Sequence, residues 1–164
     1  MSFNLHPQTC YTMECFRDGR RVWREAFHNL VTTVGKNKLL DAMFKTGEGA
    51  NAWYVALVDN ASFSAYAVAD TMGSHAGWIE SVAYNEATRQ AYVASTPASA
   101  STNNTASRAI FTMNATKTIR GAFLTDSSTK SGTTGTLYGV GDFTVARSVI
   151  SGDQIYAQIV ITVS

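Results

Sequence analysis

The chain has 164 residues, 13 basic against 12 acidic, a formal net charge of +1 and 15% charged residues, against roughly 25% in typical soluble domains. That length suits one domain with a sizeable core, and the near-neutral balance argues against a nucleic-acid partner, which needs a concentrated positive field to neutralise phosphates. No apolar run approaches the ~20 residues that span a bilayer, and the opening MSFNLHPQTC has no basic stretch followed by an apolar one, so neither a membrane partner nor a signal peptide is expected.

Residues 11–27, YTMECFRDGRRVWREAF, read as a β-hairpin. Tyr11, Met13 and Cys15 alternate with Thr12 and Glu14, and Asp18-Gly19 suits a type I′ turn, which needs positive φ at both central residues. If residues 10–15 form one strand, Cys10 and Cys15 point to opposite faces. Free thiols are expected, since two cysteines with no second cluster do not build a zinc site. Residues 1–28 are expected to form an arm that reaches beyond the core of a single domain over 29–164.

NLVTTVGKNKLLDAMFKTGEG follows. Val34, Leu39, Leu40, Met43 and Phe44 fall near one helical face, which predicts a short helix at about 35–46. Thr32 or Thr33 can cap its start and Gly47 can stop it; Gly35 weakens the first turn and moves the expected start toward Asn37. A boundary is conceivable near 47–50, but the hairpin and helix are too small to stand alone.

From Trp53 onward the pattern is β. WYVALVD is apolar on both faces, as in a strand covered on both sides. SVAYNEATRQAYVAST reads as two strands around NEAT, RAIFTMN and TIRGAFLTD as further strands, and TLYGVGDFTVARSV as a Gly-kinked strand pair. The last strand alternates most clearly, with Ile155, Ala157, Ile159, Ile161 and Val163 on one face. Residues 94–107 suit an edge strand and loop, or an arm ordered by a neighbour. Residues 126–136, DSSTKSGTTGT, suit an exposed, mobile hairpin loop. The expected fold is mainly β: an antiparallel, jelly-roll-like β-sandwich with one short α-helix and an N-terminal β-hairpin.

ADTMGSHAGWIE, residues 69–80, gathers Asp70, His75 and Glu80 around two glycines and Trp78. A metal centre would use the three polar residues, but no motif such as H-E-x-x-H supports one. A shaped connection between strands accounts for all of them. Asp70 and Thr71 can bond local amides, Gly73 and Gly77 can take positive φ, and Trp78 can bury its ring. Serine occurs in no G-x-S-x-G elbow, and His6, His28 and His75 lie far apart. A glycosidase pair drawn from Asp59, Glu80, Glu86 and Asp142 cannot be placed from sequence. The aromatics Trp23, Trp53, Tyr54, Trp78, Tyr84 and Tyr92 could line a carbohydrate platform; core packing suits Trp53 and Trp78 better, while Tyr84 and Tyr92 stay open.

Residues 29–164 carry a W-x-x-x-L-x-D strand from Trp53, a D-T-M-x-S-H-x-G-W-x-E loop from Asp70 and a Y-x-x-x-x-R element from Tyr84. An I-x-G-A-F-L strand from Ile119 and a Gly-Asp pair near the end complete the set. In these the chain resembles a family of tailed-bacteriophage virion structural proteins, associated with head decoration (cement). The resemblance implies a non-enzymatic protein on the capsid surface, made in the host cytoplasm, whose partners are the major capsid protein and copies of itself. It implies no catalytic, cofactor-binding or metal residues and no cofactor. Tyr11, Met13, Trp23, Tyr84 and Tyr92 are the expected assembly contacts. A tail or fibre-base protein and a glycan-binding sandwich are the alternatives.

Overall fold

The computed structural model describes residues 6–47 and 51–164. The strands are β1 (Pro7–Arg17), β2 (Arg20–His28), β3 (Leu30–Val31), β4 (Trp53–Asp59), β5 (Ile79–Ser81), β6 (Gln90–Tyr92), β7 (Ser101–Asn103), β8 (Ala109–Thr112), β9 (Lys117–Thr125), β10 (Leu137–Val149) and β11 (Gln154–Val163); the helix α1 spans Thr33–Phe44. One sheet runs β2-β1-β11, with β7 and β8 following each other along the far edge of β11. The other runs β3-β10-β9-β4, with β5 and β6 sharing the outer edge of β4. Every pairing is antiparallel, and the chain is a mainly β sandwich of two sheets with one helix, as its alternation predicts.

The hairpin is present, with Asp18 at φ 49° and Gly19 at φ 75°, but it is not an arm. β1 lies between β2 and β11 and pairs with β11 from Pro7↔Val163 to Phe16↔Gln154. Its inward residues enter the main core, where Phe27 stacks on Tyr11 and both Phe27 and Trp23 of β2 meet Phe143 of β10. The expected division at residue 28 is therefore corrected: over the described residues the hairpin forms the middle and one edge of the first sheet. Residues 1–5 of that expected arm, and 48–50 of the conceivable boundary, lie outside the described residues. The alternation that suggested a detachable ribbon is equally the signature of a strand with one buried face. Cys10 and Cys15 are free thiols. Cys15 faces the core, and burial, reinforced by the nearby Asp153, pushes its thiol up to about 12.

The second sheet is covered on both faces. A separate cluster of Ala56, Val58, Met72, Trp78, Phe123, Leu137 and Val140 lies on its far side, closed by Val34, Phe63 and Tyr66. Val55–Asp59 are accordingly all buried, as the two-sided apolar run of β4 predicts. Residues 94–107 follow the edge-strand alternative: β7 pairs with β11, and the buried Asn104 side chain donates to Ala157 O and accepts from Ile159 N.

Helix α1 is fixed to β10 at its start. Thr32, the N-cap, accepts from Gly35 N at 3.0 Å while its hydroxyl donates to Leu137 O. A Cβ at Gly35 would sit 2.3 Å from Tyr138 O, so this glycine is set by close approach, and the helix starts before it, not at Asn37. Anchoring here splits the expected apolar face. Val34 and Leu39 pack inward, while Leu40, Met43 and Phe44 stay exposed. Gly35→Ala is expected to destabilise the fold by roughly 1–3 kcal/mol despite alanine's better helix propensity, as read from denaturant midpoints.

The β10–β11 turn is held by Asp153, fully buried, which accepts from Arg17 Nε at 2.7 Å, from Arg17 Nη2 at 2.8 Å and from Ile150 N at 3.0 Å. The Arg17 guanidinium and the Ile150 amide hold its carboxyl below the ordinary aspartate value of 3.8. The folded state therefore binds this proton more weakly than the unfolded state, and protonation favours unfolding. The stabilisation from Asp153 is expected to be complete above the ordinary value and lost as pH falls below it. Asp153→Asn should flatten that part of a Tm-against-pH curve.

Candidate functional site

Between β4 and β5 the chain crosses the outer face of the second sheet, and this loop carries the acid–histidine constellation. Asp59 ends β4 by accepting from Ala61 N at 2.9 Å and pairing with Lys117 at 3.0 Å. Asp70 Oδ2 accepts from Ala67 N and from Trp78 Nε1, both at 2.9 Å. Thr71 and Ser74 exchange backbone hydrogen bonds of 3.0 and 3.2 Å. These bonds drive Trp78 onto the sheet, where its ring lies 5.1 Å from that of Phe123 and 6.1 Å from that of Tyr66. His75 stacks on Trp78 at 4.0 Å, with Nδ1 2.9 Å from Trp78 O. A carbonyl oxygen only accepts, so Nδ1 is the protonated, donating nitrogen.

Neither Gly73 nor Gly77 has the positive φ expected of it. Gly77 is required for space instead: a Cβ there would lie 2.1 Å from Ala65 O.

Glu80 and Arg89 form the tightest part of the assembly. Arg89 Nε donates to Glu80 Oε1 at 3.0 Å and Nη2 to Oε2 at 2.7 Å, with side chains 0% and 6% exposed. Its remaining donors reach Ser127 O at 3.0 Å and Gly132 O at 3.2 Å, and the guanidinium sits 5.3 Å from the Phe123 ring centre. Glu80 Oε2 also accepts from Ser131 N at 2.8 Å. Residues 126–136 are therefore tied down through Arg89 and Glu80, while Thr129, Ser131 and 133–135 remain exposed, as expected of this loop. Asp126 closes the loop by exchanging bonds with Thr136, and Lys130 donates to Tyr84 O at 2.8 Å while lying 3.7 Å from that ring's centre. The polar composition that suggested mobility could not reveal donors and acceptors on Glu80, Tyr84 and Arg89, far away in sequence.

A recess of about 240 Å³ opens here, lined by His75, Trp78, Glu80, Arg89, Ser131 and Gly132 among others. Its charged groups already hold one another and the backbone, which leaves them little capacity for a substrate. Glu86 is likewise occupied, accepting from Thr112 N at 3.0 Å through Oε1 and 3.1 Å through Oε2. Asp142 pairs with Arg120 at 2.5 Å. Among the described residues, no three His, Cys, Asp or Glu side chains gather where they could hold a metal.

The five expected assembly contacts are corrected. Tyr11, Met13, Trp23, Tyr84 and Tyr92 are 0%, 0%, 9%, 1% and 8% exposed, all in the main core. With Trp78 also buried, a carbohydrate platform of Trp78, Tyr84 and Tyr92 does not reach the surface. Sequence reading missed Arg89 as an organising residue and placed no weight on α1's outer turn. The spare use of charge was the available signal for Arg89, since a chain with few charges has few to spend on solvated faces.

No family model matches the chain, and no curated protein matches its sequence.

Removing one member of a buried ion pair strands the other. Arg89→Ala is expected to cost about 3–5 kcal/mol in unfolding free energy. Arg89→Lys should recover part of the loss, since it keeps the charge but not the planar fork.

Proposed function

We propose that the chain is a non-enzymatic structural protein of a tailed-bacteriophage virion, bound to the head as a decoration protein and contacting the major capsid protein and further copies of itself. The observation that carries the proposal is the outer turn of α1. Leu40, Met43 and Phe44, three and four residues apart on α1, are 50%, 68% and 77% exposed. Contiguous exposed apolar surface of this kind marks protein–protein contact sites. The sequence resemblance supports the virion setting, and the use made of its motif residues agrees with it. Asp70, His75, Trp78, Glu80 and Arg89 each hold loop backbone or fill the second sheet's outer layer. A protein that must present a fixed surface to a shell gains from loops braced in this way.

Immunogold labelling of phage particles with antibody to this chain is expected to decorate the head; gold confined to the tail contradicts the proposal. Met43→Asp with Phe44→Asp should strip the protein from particles while shifting its own unfolding free energy by no more than about 0.5 kcal/mol, as surface changes usually do.

A further inference from the structure

The two sheets are finished differently. The second is covered on both faces, whereas the outward row of β1, Cys10, Thr12, Glu14 and Phe16, is only partly buried. Charge is concentrated on this outward face. Glu14 stands opposite Arg24 on β2 and Tyr156 on β11. Arg21 Nη1 donates to its Oε1 at 2.7 Å, and Nη1 of Arg108, the residue before β8, donates to its Oε2 at 2.9 Å. Arg24 Nε lies 3.9 Å from Oε1. Among the described residues, Glu14 is the one carboxylate paired with any of these three arginines.

Such sharing is unlike the other buried pairs of the molecule. Arg17, Arg89 and Arg147 each commit two nitrogens to a carboxylate of their own. A guanidinium carries five donors in a fork that matches a carboxylate through two parallel bonds. Arg21 and Arg108 give Glu14 one nitrogen each, and Arg24 is too far for a hydrogen bond to it. The Arg21 and Arg24 side chains are 55% and 52% exposed, so water takes their remaining donors in the free protein.

The patch is also one-sided in charge, with three cations around one anion. Two rings share the face. Phe16 and Tyr156 meet edge to face at 5.3 Å, and the Arg108 guanidinium sits 4.9 Å from the Tyr156 ring centre. Arginine and aromatic side chains without lysine are the composition of a protein contact rather than of a phosphate track. A second copy is a poor match, because Glu25, Asp59, Glu80, Asp142 and Asp153 are each held by a cation of their own chain.

We infer that this face of the first sheet docks an acidic segment of another protein, whose carboxylates take the open forks of Arg21, Arg24 and Arg108 while Phe16 and Tyr156 pack beneath it. The inference depends neither on the α1 contact nor on the virion proposal, because it is read on isolated protein.

Fluorescence anisotropy of a labelled oligoglutamate peptide tests it, with a labelled oligothymidylate as the phosphate counterpart. The peptide is expected to bind in dilute buffer, and Arg24→Glu to weaken binding by about tenfold or more. Lys36→Glu changes the net charge equally but lies on α1, and should leave the affinity within about twofold of the original. Glu14→Gln removes the competing carboxylate at nearly constant shape and should tighten binding, an outcome that does not depend on how well Arg24→Glu folds. Equal weakening by Arg24→Glu and Lys36→Glu, no tightening in Glu14→Gln, or no binding of the peptide overturns the inference. Tighter binding of the oligothymidylate that is lost in Arg24→Glu also overturns it, in favour of a nucleic acid.

Discussion

A guanidinium with no exposure to water must be paired wherever the chain places it, and the outer half of this molecule is arranged around that requirement at Arg89. Burying an ion is expensive, and mutual attraction repays the cost only when the remaining donors are also used. Arg89 meets the condition with Glu80 and two carbonyls from the 126–136 segment. One residue thereby joins three stretches: the loop that delivers Trp78 to the sheet, the approach to β6, and the β9–β10 connection. The stacked His75 and the Asp70 carboxylate extend the same network toward Ala67.

The same economy governs the first sheet. The chain carries few charges, and several act as inward ties rather than as a solvated coat. Arg17 holds Asp153 at the β10–β11 turn, and Arg147 on the far half of β10 binds Glu25 of β2. Glu14 alone serves Arg21 at 2.7 Å and Arg108 at 2.9 Å. Such bonds add modest stability where they face water. Those of Arg17 with Asp153, Arg147 with Glu25 and Arg108 with Glu14 also hold register, because each ties together segments distant in sequence. What remains outward includes the arginines of β2 and α1's apolar turn.

The parts legible in the sequence were those decided by near neighbours. The Asp18-Gly19 turn, the alternation of β11 and the two-sided cover of β4 all depend on side-chain period and local φ. The place of the hairpin was not legible, because Tyr11 pairs with Ile159 and nothing local distinguishes a strand facing a core from one awaiting a neighbour. The helix illustrates the same limit: its apolar residues were visible, but which of them turn inward follows from the contact of Gly35 with Tyr138. The loop at 69–80 was read correctly as a connection, yet its glycines act through close approach rather than positive φ. Arg89 was recognisable only as one letter of a motif, since burial of an arginine depends on acceptors from other segments.

The central claim is that the acid, histidine and arginine residues brace the loops on the second sheet's outer face. Hydrogen–deuterium exchange of the isolated protein tests it most directly. Amides at Arg89 and Ser131, which donate to Ser128 O and Glu80 Oε2, are predicted to exchange on the slow timescale of the β9 and β10 amides that flank them. Exchange of residues 126–133 at the rate of an open loop, with the sheets still protected, would contradict the account.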